Sequence, residues 1–458
     1  MARERNDTNS TTQSNELTPQ PGENQVVWTI WLTYGAFYFC RTNISAAVPG
    51  LGSPVEEGGL GLSGTEIGSI LAATKLMYAV GQLLNGQLSE HFSPRRLLAI
   101  GMLGSAALNV LFGFSTAVYF LLFVWACNGY AQSLGWTPCV RVIGNWVPIL
   151  RRGKAIGIVG TGYQITLGLT FFIAGQSAEW FGWRAALYVP AILLTAVALF
   201  MLATLEETPH ADRRDSAAQP ATERHEISES QRRKGSAVEN VILTLANPTL
   251  WLLGLALGLL NACRYGFLDW GISHLMTVQE TGVGKAALKY VVLAIGAALG
   301  AYLSGWATDR FFGSRRAPVI CILLLLLGTL TLVYEHIART SATGTLLLLV
   351  LIGFCIYGPQ VLLVGTAPAD LARRGTAAAA AGFVNFMGYM GAAAGDQVTG
   401  YYKEPQHGGW EVAIYIWAGW AFTAAIVSAF LWNASGRSEN LKSESADSSA
   451  ANTGGESS

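Results

Sequence analysis

The segment GQLSEHFSPRR at residues 86–96 returns roughly 220 residues later as GWATDRFFGSRR at residues 305–316. Two further echoes keep the same order and nearly the same spacing. CR at Cys40 and Arg41 matches CR at Cys263 and Arg264, and RRGKA from Arg151 matches RRGTA from Arg373. Three matches in one order indicate a duplicated half-length unit. Parallel duplications of membrane-crossing helices build a site near the midplane, between two halves related by an axis along the membrane normal.

The composition supports a membrane setting. Of 458 residues, 51% are hydrophobic and only 13% charged, about half the usual charged share of a soluble domain. Apolar runs of roughly 20 residues, enough for a ~30 Å hydrocarbon layer, recur from Trp28 to Trp432, about twelve in all. They group as six, a polar connection, and six more. The expected division is a tail at 1–25, a six-helix bundle at 26–205, a central loop at 206–247, a second bundle at 248–433 and a polar, Ser-rich tail at 434–458. The first run lacks a small-residue cleavage site and is read as a retained helix. All six cysteines lie in apolar runs, where they act as small hydrophobes. A net charge of zero gives no sign of a nucleic-acid partner.

Basic residues cluster on alternate connections: Arg95 and Arg96, Arg151, Arg152 and Lys154, Arg310, Arg315 and Arg316, Arg373 and Arg374. The central loop adds Arg213 and the run Arg232 to Lys234. The connection from Pro49 to Gly64 carries Glu56 and Glu57 and no Lys or Arg. The positive-inside rule then places both termini and the central loop in the cytoplasm of a cell (inner or plasma) membrane.

Against that frame, YGAFYFCRTNIS at residues 34–45 puts Arg41 inside a spanning run. A charge there costs ~2.5–3.5 kcal/mol on insertion scales, which makes it a functional candidate. The repeat pairs Arg41 with Arg264, in equivalent positions of the two halves. Tyr34, Tyr38, Arg41 and Ser45 share one helical face, and Asn261 joins Arg264 in the same way. Two guanidinium forks aimed at one spot suit an oxyanion such as phosphate, because each can bind two oxygens in plane. The alternative is a structural ion pair or snorkelling to an interface.

Other polar residues keep two readings. Asp269, about 140° round the helix from Arg264, is read as an interhelical partner. Asn385, Tyr389 and Asp396 share a face of the eleventh run, which lines the cavity or holds a buried structural acid. Lys75 is a third cationic contact or pairs with an acid. Gln132 is a cavity residue, and Arg141 belongs at the cytoplasmic mouth. Tyr163, Gln164, Tyr357 and Gln360 either bond substrate or tie helices together. Asp309 and Arg310 are read as gating charges on the cytoplasmic side. Small residues spaced through GAALGAYLSG from Gly296 indicate close helix packing.

Several patterns are rejected. GLGLSG at 59–64 has no preceding strand, so it is not a dinucleotide loop, and Ser63 with Glu66 forms a capping box instead. The six histidines fall in loops or near the ends of runs, which argues against a metal site or a buried imidazole relay. No catalytic residues, metal or cofactor are expected, and the chain is not read as an enzyme.

The motifs YGAFYFCRTN, GWTPCVR, RYGFLDW, GFCIYGPQVLLVG and RRGTAAAAAGFVNFMGYMG resemble those of the organophosphate:phosphate antiporters of the major facilitator superfamily, over about residues 28–432. The resemblance implies an all-α membrane fold of twelve transmembrane helices in two six-helix bundles related by a pseudo-twofold. It implies exchange of a sugar phosphate or glycerol phosphate for inorganic phosphate by alternating access, in a monomer. Arg41 and Arg264 match the family's phosphate-holding arginines, and Tyr34, Tyr38, Gln132, Tyr357 and Tyr389 fall on its cavity positions. The chain departs from the glycerol-3-phosphate carriers at Thr42 (lysine there), Ala294 (an acid) and Tyr163 (histidine), and adds Lys75 and Asp396. The alternatives are a sugar-phosphate sensor of the same family, signalling to a partner kinase, and a carrier of other organic anions.

Overall fold

The computed structural model describes residues 21–209, 242–313, 315–371 and 377–432. Both tails, most of the central connection with Arg213 and Arg232 to Lys234, and Arg373 and Arg374 lie outside the described residues. Among those described, the structure is helical with no strand.

The first expected pass is divided. Helix α1 (Glu23–Ala36) runs into a 3-10 turn (Phe37–Cys40), and α2 (Ile44–Gly52) follows. The second and third passes are α3 (Gly64–His91) and α4 (Pro94–Phe114); the fourth is split into α5 (Val118–Ser133) and α6 (Trp136–Trp146); α7 (Ile149–Phe181) and α8 (Ala185–Thr204) complete the half. In the second half, α9 (Pro248–Tyr265) passes through a π-turn (Gly266–Trp270) into α10 (Gly271–Gln279). Then come α11 (Val283–Phe311), α12 (Arg316–Thr340) and α13 (Ala342–Val361). A second π-turn (Leu362–Thr366) leads to α14 (Ala367–Leu371), α15 (Ala377–Tyr402) and α16 (Gly409–Ala429). Among the described residues nine helices are long and apolar enough to cross a membrane. The divided first and fourth passes fall short of that length in any one helix.

Packing repeats across the halves as the sequence does. α1 packs on α7 as α9 packs on α15, α3 on α5 as α11 on α13, and α4 on α8 as α12 on α16. The halves meet through α3 against α15 and α7 against α11. Glycine permits the approach: a Cβ at Gly64 would lie 2.1 Å from the Gly400 carbonyl oxygen, and one at Gly175 would lie 2.2 Å from the Ala287 Cβ. The small residues of GAALGAYLSG do what they were expected to do, since a Cβ at Gly296 would meet the Val350 carbonyl at 1.9 Å. The Ser63–Glu66 capping box also forms.

Those seams are one-sided. Gly175 and Gly168 of α7 touch α11, whereas Gly160 and Gly153, seven or eight residues further along the same face, have no neighbour within 4 Å of a built Cβ. Gly305 of α11 and Gly382 of α15 face open space at the same end. The halves are therefore closed at the end carrying the 53–63 connection and diverge toward the end carrying Phe92, Val147 and Phe312.

Helix breaks at membrane depth leave backbone groups that must find protein partners. Around Phe37–Cys40 three side-chain amides supply them, and a fourth holds one of the three. Gln132 Nε2 donates to the Phe37 carbonyl at 3.0 Å, and Asn128 Nδ2 to that of Cys40 at 3.1 Å. Asn109 Nδ2 reaches the Cys40 carbonyl at 3.4 Å, and Asn43 Nδ2 donates to Asn109 Oδ1 at 2.8 Å. The same break overturns the expected place of Ser45. Helical register is lost after Tyr38, so Ser45 is fully buried and its hydroxyl donates to the Thr42 carbonyl rather than facing the cavity. The expectation that every histidine lies in a loop or near the end of a run also fails. His274 in α10 is fully buried, pairing with Glu335 of α12 through Nε2 and lying 3.3 Å from the Tyr334 hydroxyl through Nδ1.

Candidate functional site

Arg41 leaves the chain at the end of the 3-10 turn, and Arg264 leaves α9 two residues before its π-turn. Local irregularity thus flanks both arginines, and π-turns in particular collect at functional positions. Arg41 Nε donates to Gln132 Oε1 at 3.0 Å, and its Nη2 reaches the Gln132 carbonyl at 3.4 Å. Gln132 is itself fixed, donating to Ser105 Oγ at 2.7 Å as well as to Phe37. Arg264 donates from Nη2 to the Tyr357 hydroxyl at 3.2 Å, and its buried Nε has no hydrogen-bond partner.

Neither guanidinium has a carboxylate partner among the described residues. Aromatic rings surround them instead. Arg41 lies 4.6 Å from the Tyr38 ring centre and 4.8 Å from that of Tyr78, and Arg264 lies 4.8 Å from Tyr265 and 4.9 Å from Tyr357. Tyr163 stacks on Tyr38 at 5.1 Å, Tyr34 tilts on Trp136 at 4.8 Å, and Tyr78 meets Tyr389 across the halves at 4.5 Å. Tyrosine faces hold a cation by its charge without neutralising it, so the donors not engaged by Gln132 or Tyr357 stay available to an anion.

The remaining expected residues divide by place. Asn261 is buried with its Oδ1 unpaired, and Gln360 Oε1 is likewise buried and unpaired. Gln164 is buried, and Asn385 is half-buried on α15, on the helix that carries Tyr389. Lys75 points at acids of the other half: it bonds Asp269, and its Nζ lies 2.9 Å from Asp396 Oδ2. Of its two sequence readings, acid pairing is the one observed. Asp269 is an interhelical partner, as expected. Arg141 caps the end of α3, donating to the carbonyls of Ser89 and, at 2.9 Å, Phe92. Asp309 is bridged at 2.9 Å by Arg316, which also reaches Asp370 at 3.2 Å, all within the second half, and Arg310 is exposed at the open end.

Tyr78, Tyr265 and Trp136 complete the cage and were not singled out from the sequence. Tyr265 and Trp136 stand inside the quoted motifs RYGFLDW and GWTPCVR, directly beside residues already under suspicion. Tyr78 follows Lys75 by three on α3 and so shares its face. No group of His, Cys, Asp and Glu able to hold a metal occurs among the described residues.

Comparison with known proteins agrees with this architecture. Over 429 residues the chain is 28% identical to the probable hexose phosphate transport protein of Chlamydia trachomatis, covering 90% of this chain and 92% of that one. It is 27% identical to the glycerol-3-phosphate transporter of Bacillus subtilis, covering 91% and 94%. It is 28% identical to the membrane sensor protein UhpC of Escherichia coli, covering 80% and 83%. Among solved structures, the inward-facing, occupied form of a bacterial homolog to the human lysosomal transporter Spinster superposes with a TM-score of 0.71 at 17% identity, over 90% of this chain and 97% of that one. The sequence model of the Major Facilitator Superfamily matches residues 30–395. The chain belongs to the Major Facilitator Superfamily.

Proposed function

We propose that the protein is a membrane antiporter that exchanges a phosphorylated small metabolite, a sugar phosphate or glycerol phosphate, for inorganic phosphate. The observation that carries this reading is the pair of equivalent arginines without carboxylate partners, at the meeting of two halves that are open at one end. Phosphate needs several donors in fixed directions, and Arg41 and Arg264 offer them in a setting that tyrosines partly dehydrate. The relatives named for hexose phosphate and glycerol-3-phosphate transport favour the same substrate class.

The mechanism follows from charge. With the site empty, two guanidiniums repel each other in a medium of lowered dielectric, which opposes closing the halves around them. A bound dianion reverses the sign of that interaction, so the loaded carrier closes and reorients while the empty one does not. Tyr34, Tyr38, Tyr163, Tyr357 and Tyr389 line the place of the substrate, with Gln132 as the support of Arg41. Asn261, Gln360 and Asn385 offer hydrogen bonds to the hydroxyls of the organic moiety. Lys75 and Asp396, paired with each other, serve the junction between the halves rather than the ligand.

The two units at 26–205 and 248–433 rock about the seams α3–α15 and α7–α11. Both arginines come from one chain, so the monomer suffices. With the arginine-rich connections in the cytoplasm of a bacterial-type inner membrane, the conformation is inward-open. The sensor relative favours a second reading, in which the same site reports on a sugar phosphate. Reconstituted vesicles loaded with inorganic phosphate decide between them. A carrier takes up labelled phosphate in exchange and is competed by one or more of a panel of hexose and glycerol phosphates; a sensor binds the sugar phosphate and exchanges nothing.

A further inference from the structure

Three cations and two acids meet around the junction of the halves, and their arrangement is unequal. Lys75 of α3 is shared by Asp269 of the π-turn and Asp396 of α15, and all three are more than nine-tenths buried. One lysine therefore faces two carboxylates. Asp396 is the less satisfied of the two. Its Oδ1 accepts from Trp270 Nε1 at 3.3 Å, and its Oδ2, 2.9 Å from Lys75 Nζ, makes the longer of the lysine's two acid contacts. The groups facing this acid are Lys75 from α3, Tyr265, Asp269 and Trp270 from the seventh pass, and Tyr389 further along its own helix.

The cluster is electrically joined to the substrate site. Lys75 Nζ and the Arg264 guanidinium each lie 4.8 Å from the centre of the Tyr265 ring, so the two cations are no more than about 10 Å apart. In the empty carrier Arg41, Arg264 and Lys75 outnumber the two acids. When a phosphate dianion settles on the arginines, the balance of the same five side chains plus ligand becomes negative. Two carboxylates on one lysine in a buried site then face a like-charge conflict of the kind that protonating one acid removes.

We propose that Asp396 is a proton-binding site linked to substrate: binding of a phosphate dianion to Arg41 and Arg264 drives uptake of a proton from water onto the Asp396 carboxylate, and the closed carrier moves both together. The proton forms an O–H bond on the Asp396 carboxylate and no other covalent bond changes. Linkage is reciprocal, so the dianion binds more tightly as the medium becomes more acidic, by up to about tenfold per pH unit. The inference rests on the phosphate-carrier reading of the site.

The test is calorimetric titration of the purified full-length protein with inorganic phosphate at neutral pH, in two buffers of different ionisation enthalpy, which gives the protons taken up per phosphate bound. Titration of the phosphate itself is common to all variants and cancels in their comparison. Wild-type protein should take up more protons per phosphate, by up to one, than Asp396→Asn or Asp269→Asn. Either variant leaves one acid for one lysine and removes the conflict, and the second serves if the first does not fold. A merely structural role changes affinity or stability but not the proton count. An equal count in wild type and a folded variant overturns the inference alone, whereas failure of the wild type to bind phosphate overturns the site reading and the inference with it.

Discussion

Arg41 and Arg264 are equivalent in the repeat but held differently. Arg41 is anchored by Gln132 and its own supports, whereas Arg264 has a single bond to Tyr357 and an unpaired Nε. Arg41→Lys and Arg264→Lys keep the charge and lose the planar fork. Each should lower phosphate exchange by roughly 10- to 100-fold, the worth of one or two charge-assisted hydrogen bonds, with the purified protein still folded by its melting profile. Exchange near the wild-type rate in both would remove the arginines from the site. These two residues were legible in the sequence because a mid-run arginine is costly and the repeat showed it twice. The partners of Lys75 were not legible, because pairing with Asp269 and Asp396 depends on how α3, the seventh pass and α15 are rotated against one another. Tyr78 escaped for the same reason, since a tyrosine in an apolar run costs little and marks nothing by itself.

Among the elements, α3 and α15 form the tightest seam between the halves. Their approach at Gly64 and Gly400 leaves no room for a methyl group, and Ser69 Oγ donates across it to Gln397 at 3.0 Å. Gly400→Ala should therefore disfavour closure at that end and shift the population toward the opposite opening. The measurement is labelling of a cysteine placed at Ser69 by a membrane-impermeant maleimide, several-fold faster in the Gly400→Ala background; an unchanged rate would show that the seam does not control the opening. Helical runs, their order and the duplication could all be read from residue pattern. The interruptions at Phe37–Cys40 and Gly266–Trp270 could not, because no proline or glycine pair marks the first and the second lies in a run that reads as one uninterrupted helix. Both depend on partners distant in sequence, the amides of Asn109, Asn128 and Gln132 in the first case. His274 was misjudged for a related reason: the seventh pass continues through its π-turn beyond the expected end of the apolar run, which carries the imidazole into the bundle beside Glu335.

For the whole molecule, the repeat predicts a pair of halves, and the observed packing of α1 on α7 and α9 on α15 follows it. Orientation is a separate matter, set by where the basic connections reside. A cysteine at Ser53, on the connection at the closed end, should react with an impermeant reagent in intact cells, and one at Ser216, which lies outside the described residues, only in inside-out vesicles; the reverse pattern would invert the topology. The account's central claim is that anion binding to two uncompensated arginines is what permits the halves to close and reorient. Efflux of labelled phosphate from loaded, reconstituted vesicles tests it most directly, measured with and without unlabelled phosphate outside. The account predicts slow efflux into phosphate-free medium and a rise of at least tenfold when external phosphate is supplied, because an emptied carrier cannot return alone. Equal efflux in the two media would contradict it, since the empty carrier would then be reorienting with its arginines unpaired.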